Sequence, residues 1–158
     1  MLYALLKTVH LLSIVIWVGG MFFTLYCLRP ALAALDGPVR VRLMHATLGR
    51  FFKLVLIAAG LVLATGGWMM GLAAQAAVQA GGRFNMPLDW TVMAVLGIVM
   101  IAIFGHIRFV LFKRLERAAN AQIWPVGAQA LGSIRNWVLV NLVLGLVIIV
   151  VTRLGAVS

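Results

Sequence analysis

The sequence predicts an all-α fold, an integral membrane bundle of four antiparallel helices in up-down-up-down order. Of its 158 residues, 65% are hydrophobic and 10% are charged, whereas roughly a quarter of the residues are charged in soluble domains. The apolar residues also fall into four stretches, each close to the roughly 20 residues that a helix needs to cross a bilayer. Because lipid offers no partners to backbone N–H and C=O groups, these stretches must be helices.

The four helices form a single predicted domain over residues 1–158. Asp36-Gly37-Pro38 is a turn signal after the first helix, and Asp89 is a suitable N-cap for the third. Trp124-Pro125 interrupts the connection before the fourth helix. The predicted helices span about residues 2–28, 42–72, 91–117 and 133–153.

Basic residues predict the orientation of the bundle. The chain carries 13 Lys and Arg residues against 3 Asp and Glu, a net charge of +10, and Lys and Arg near helix ends favour the cytoplasmic side. Most of them flank the first and third connections, so both termini are predicted to lie outside the cytoplasm, in the periplasm for a protein of the bacterial inner membrane. Charges clustered beside helix ends indicate contact with anionic lipid headgroups and argue against a nucleic-acid partner.

Two ionisable residues, Lys7 and His10, lie three positions apart in the first apolar stretch. An ionisable side chain in a membrane helix is costly and by default indicates a site for an ion, a proton or a cofactor. Helical spacing puts both on one stripe of polar and small residues that we expect to face the bundle interior. That stripe comprises Tyr3, Lys7, His10, Ser13, Trp17, Gly20 and Thr24.

Two further helices carry stripes of small or polar residues. Small residues at helical spacing let helices approach closely, so simple packing explains these stripes as well as a binding role does. The stripe of the second helix comprises Gly60, Ala64, Gly67 and Gly71. That of the fourth comprises Trp137, Asn141, Gly145, Ile148 and Thr152.

Methionines are predicted at the same depth as His10. Since alternate helices run in opposite directions, the end of the second helix and the start of the third should be level with His10. Imidazole and thioether groups are the ligands that soft, monovalent copper prefers. The sequence therefore predicts a copper site of His10, Met70 and Met93, with apolar packing as the alternative role of the methionines. The methionines in this region are Met69, Met70, Met86 and Met93.

A haem b site is the alternative. A histidine would be an axial ligand of the iron, and a basic side chain would pair with the propionates. His106 is predicted near the opposite end of the bundle from His10, and His45 on a cytoplasmic extension, so no bis-histidine clamp is evident. His106 is equally compatible with a plain hydrogen bond to the fourth helix. The residues that would bind haem are His10, His106, Lys7, Arg108 and Trp17.

Enzymatic motifs are not apparent. The sequence shows no nucleophile paired with a base, no paired carboxylates and no phosphate-binding loop. Hydrolysis and phosphoryl transfer are therefore not expected, and a binding or transport protein is favoured over an enzyme.

Short motifs along nearly the whole chain form a pattern found in a known family. They are Lys7-x-x-His10, Trp17-Val18-Gly19-Gly20, Leu28-Arg29-Pro30, Leu48-Gly49-Arg50-Phe51 and the segment 134–145. In these motifs the chain resembles the CopD family of bacterial inner-membrane copper-resistance proteins. It is more distantly similar to the HemJ-type protoporphyrinogen oxidases, which bind haem b.

The resemblance implies copper handling at the membrane, by transport or by transfer to a partner. That partner would be a second copy of the chain or a periplasmic copper-binding protein. Two positions depart from the pattern of these families, because Met93 stands in place of a lysine and Asn141 in place of an acidic residue. Both departures argue against a HemJ-like oxidase.

Overall fold

The computed structural model describes residues 1–155 and contains no strand within them. Its four long helices are all long and apolar enough to cross a membrane, which confirms the predicted all-α membrane fold. They are α1 (Leu2–Ala31), α2 (Gly37–Gln79), α3 (Leu88–Asn120) and α4 (Trp124–Gly155).

Contacts between the helices follow an antiparallel order. His10 of α1 contacts Thr65 of α2, whereas Gly20, further along α1, lies against Phe51, earlier in α2. The helices α3 and α4 behave in the same way. Their contacting pairs are Asp89 with Gly155, Met100 with Gly145, and His106 with Trp137.

The helices are longer than predicted, and the connections are correspondingly shorter. The helix α2 begins at Gly37 because Pro38 fits the first turn, where no intrahelical N–H bond is needed. The predicted third connection shrinks to residues 121–123, since Pro125 is likewise tolerated at the start of α4. Asp89 lies inside the first turn of α3, whose N-cap is Pro87, so the prediction of Asp89 as the cap was wrong.

Two π-helical turns interrupt the helices at the end of the bundle that carries most of the basic residues, which we call the basic end. In α1 the turn covers Thr24–Leu28, and the Arg29 amide donates to the carbonyl of Thr24, five residues back. Pro30 follows directly and has no N–H to continue the regular ladder. In α3 the turn covers Ile107–Leu111.

An aromatic cluster forms the core toward the basic end. The Phe52 ring lies 5.9 Å from that of Phe104 and 5.4 Å from that of Phe112, both edge-on. Trp17 meets Phe104 at 5.9 Å, also edge-on. These contacts tie α1, α2 and α3 together near the middle of the bundle.

The small-residue stripe of α2 does not pack against another helix. Gly60, Ala64, Gly67 and Gly71 are exposed, and a side chain at any of the three glycines would meet nothing within 4 Å. Helix packing as the role of this stripe was therefore wrong, although one member, Gly67, lines an open cavity between α2 and α3. The buried face of α2 instead carries larger residues, and these dictate which side of the helix turns inward. They include Leu48, Phe52, Val55, Thr65 and Met69.

Candidate metal site

A cavity of about 230 Å³ opens between the helices and contains His10, Met70 and Met93 in its wall. Trp17 lines it too, so four of the residues selected from the sequence meet in one place. The remaining wall is almost entirely apolar, with contributions from all four helices. We call it the His10 cavity.

The His10 cavity exists because α2 and α3 diverge. At the basic end they are in contact, as the Phe112 ring stacks on His45 with centroids 5.2 Å apart. Toward the other end, the segment Val62–Met70 of α2 and the segment Met93–Ile101 of α3 face each other across the cavity. Trp17 lines the cavity on the side of the basic end and packs edge-on against Phe104.

His10 is held firmly in the wall of the cavity. The side chain is 7% exposed, and its Nδ1 lies 2.9 Å from the hydroxyl oxygen of Thr65. Gly66 leaves room for the imidazole, because a Cβ at that position would lie 3.2 Å from Cε1 of His10. A glycine at position 66 therefore permits close approach of α2 to the ring.

The hydrogen bonds of Thr65 select the tautomer of His10. The Thr65 hydroxyl has one proton, which it donates to the carbonyl of Leu61 at 2.6 Å. With that proton donated to Leu61, the Thr65 oxygen accepts a hydrogen from Nδ1 of His10 at 2.9 Å, and this assignment leaves the lone pair on Nε2. A metal-binding histidine usually donates its second ring N–H in this way, which orients the ring and fixes its tautomer.

Three thioethers accompany the imidazole in the cavity wall. Met70 and Met93 were predicted, whereas Met100 was missed. Met100 lies two helical turns from Met93 on the same face of α3, and this spacing is the signal that could have found it. Met69 is buried but is not part of the wall, and Met86 is exposed, so only part of the predicted methionine cluster converges.

The predicted stripe of α1 faces the bundle only from His10 onward along the chain. Ser13, Trp17 and Thr24 are buried. Lys7 is exposed, as is Tyr3, so their predicted inward orientation was wrong. Near the start of a membrane helix, a lysine can extend its ammonium to the interface, and this avoids the cost of burying the charge.

The remaining candidates lie away from the cavity. His106 is exposed on α3 and meets Trp137 edge-on at 5.4 Å instead of forming a hydrogen bond with α4. Arg108 lies over the ring of Phe112 at 5.2 Å. His106 and Arg108 are therefore not part of the His10 cavity, and His10 and His106 stay separate alternatives for the axial ligand of a haem.

The donor set fits monovalent copper. Within residues 1–155, no group of three or more His, Cys, Asp and Glu side chains is placed to hold a metal, so the usual donors for zinc or calcium do not converge. One neutral imidazole and several thioethers in an apolar wall are soft, uncharged ligands, which suit a soft, singly charged ion.

The fold and the cavity thus define a class, a multi-pass membrane protein with a histidine and thioethers in the wall of a cavity between its helices. The family model described as Copper resistance protein D, CopD, matches residues 45–154, more than half of the chain. The chain belongs to this family of copper-resistance membrane proteins. Comparison with curated proteins and with solved structures gives no match. The matched region includes Thr65 and the three cavity methionines, whereas His10 precedes it.

Loss of the Thr65 hydroxyl should weaken copper binding without removing a ligand. In Thr65→Val, Nδ1 of His10 loses its contact with the Thr65 hydroxyl, so the orientation of the imidazole is less firmly held. Loss of such a supporting residue typically costs roughly 10- to 100-fold in metal affinity. The measurement is Cu(I) affinity by competition with a chromogenic chelator. Thr65→Ser keeps the hydroxyl and should stay close to wild type, and unchanged affinity in Thr65→Val would disprove the role of this hydrogen bond.

Proposed function

We propose that this protein binds one Cu(I) ion in the His10 cavity and handles copper at the bacterial inner membrane. His10 supplies Nε2, and Met70 and Met93 supply thioether sulfur, with Met100 as a further donor. The observation that carries the proposal is the convergence of His10 and three methionines on a single cavity within a copper-resistance fold.

The location of the cavity supports exchange of copper on one side of the membrane. Trp17, Phe52 and Phe104 pack together between the cavity and the basic end. We assign the basic end to the cytoplasm from its charges, so the cavity and both termini belong to the periplasmic half. Copper would then enter from the periplasm or pass to a periplasmic partner or a second copy of this chain.

The test is anaerobic titration of the detergent-purified protein with Cu(I), together with its visible absorption spectrum. We expect one tightly bound Cu(I) per chain and a colourless complex, because Cu(I) has a filled d shell. If the protein instead carries one haem per chain, and its Soret band disappears in His10→Ala, the cavity is a haem site and the copper proposal is wrong. Absence of both ligands would contradict a metal or haem function for the cavity.

A further inference from the structure

A second cavity, of about 250 Å³, lies at the basic end and is separate from the His10 cavity. Two arginines, Arg29 of α1 and Arg40 of α2, contribute to its wall, and Leu131 of α4 closes one side. Its other lining residues are the apolar Leu32, Ala33, Met44 and Ala128. We call it the Arg29 cavity, and its lining shares no residue with the His10 cavity.

Arg29 is fixed in place while most of its donors stay available. The side chain is half-buried, and Nη1 donates to the carbonyl of Leu131 at 2.9 Å. A guanidinium has five N–H donors in a planar fork, so one hydrogen bond orients the group without saturating it. The π-helical turn at Thr24–Leu28 shifts the register of α1 immediately before Arg29 and so sets the direction of this side chain.

The charges around Arg29 have the same sign. The groups that act on it electrostatically are Arg135 and Arg40, and the nearest acidic residue in the sequence, Asp36, is exposed. Like charges held close together raise the energy of the folded state, whereas an anion between them lowers it. Arginine forks match the oxygens of a phosphate group, with which they form strong charge-assisted hydrogen bonds.

We propose that the Arg29 cavity is a binding site for a phosphate group, with Arg29 and Arg40 as its ligands. The apolar side chains of Leu32, Met44 and Leu131 line the same space. This pairing of guanidinium and apolar wall matches an anionic phospholipid, whose phosphodiester is joined to a hydrophobic part. Basic pockets between membrane helices commonly bind such headgroups.

Native mass spectrometry of the whole chain in mild detergent tests the proposal. When equal amounts of phosphatidylglycerol and phosphatidylcholine are added, we expect the wild-type protein to retain one molecule of phosphatidylglycerol in preference to phosphatidylcholine. Arg40→Gln should lower that occupancy roughly tenfold, as expected from the loss of one charge-assisted hydrogen bond. Arg117→Gln is the matched control, because Arg117 is exposed at the same end but does not line the cavity.

Additional measurements identify the source of the phosphate and test whether the variants still fold. If inorganic phosphate binds wild type as tightly as the lipid does and Arg40→Gln abolishes this, the site stands with free phosphate as its ligand. Arg29→Lys keeps the charge but loses the planar fork, so it should bind the lipid more weakly than wild type, and Arg40→Gln should bind Cu(I) like wild type. Unchanged lipid retention in Arg40→Gln with no phosphate binding by wild type would overturn the proposal, as would equal losses in Arg40→Gln and Arg117→Gln.

Discussion

Replacing His10 with alanine is expected to weaken Cu(I) binding by roughly 100-fold or more. Loss of a supporting residue already costs roughly 10- to 100-fold, and here the nitrogen ligand itself is removed. The imidazole is also the only aromatic nitrogen base in the wall of the cavity. Competition against a chromogenic Cu(I) chelator measures the change under anaerobic conditions.

His106→Ala is the matched control for this substitution. His106 is exposed on α3 and packs against Trp137, away from the His10 cavity, so its loss should leave Cu(I) affinity unchanged. Equal losses in both variants would show that copper binding does not depend specifically on the His10 cavity. Wild-type affinity in His10→Ala would remove His10 from the site.

Replacing Met70 and Met93 together with leucine should cause the second large loss of copper affinity. Leucine preserves the volume and apolar character of methionine, so packing changes little, whereas both predicted thioether ligands disappear. Each single substitution should cost at least the roughly tenfold typical of a weakened metal site, and the double substitution should cost more. The same chelator competition measures all three variants.

Met69→Leu separates loss of a ligand from loss of packing. Met69 is adjacent to Met70 and is buried at 9% exposure, but it does not line the cavity. Its replacement should leave Cu(I) affinity at the wild-type level. If the double variant also binds Cu(I) like wild type, Met70 and Met93 are packing residues, and Met100 is the remaining candidate for a sulfur ligand.

Much of the fold could be predicted because membrane helices obey a strong constraint. Lipid requires every backbone group to be satisfied within the chain, so apolar stretches of sufficient length are diagnostic. Helix ends were harder, since Pro38 and Pro125 resemble breaks in a sequence although the first turn of a helix accepts them.

The rotation of each helix could be predicted only in part. In α2 the sequence favoured the face that contains Gly67, whereas Gly66, one residue earlier and about 100° away around the helix, contacts His10. The larger residues of α2 determine its inward face, and their dominance depends on the neighbouring helices. A pattern within one helix does not contain that information.

The candidate site shows the same limit. His10, Met70 and Met93 could be brought together from depth alone, because antiparallel helices place the end of one level with the start of the next. Thr65 could not be found in this way. A threonine in a helix commonly forms a hydrogen bond with the backbone of its own helix, as Thr65 does with Leu61. The contact of Thr65 with His10 depends on the pairing of α1 with α2, which the sequence does not show.

X-ray absorption spectroscopy at the copper edge, on the protein loaded with one Cu(I), identifies the atoms bound to the metal. We expect a first shell that combines sulfur with one imidazole nitrogen, and His10→Ala should lose the imidazole contribution while sulfur remains around any copper that is still bound. A first shell of nitrogen and oxygen alone, or an imidazole contribution that persists in His10→Ala, would contradict a copper site in the His10 cavity.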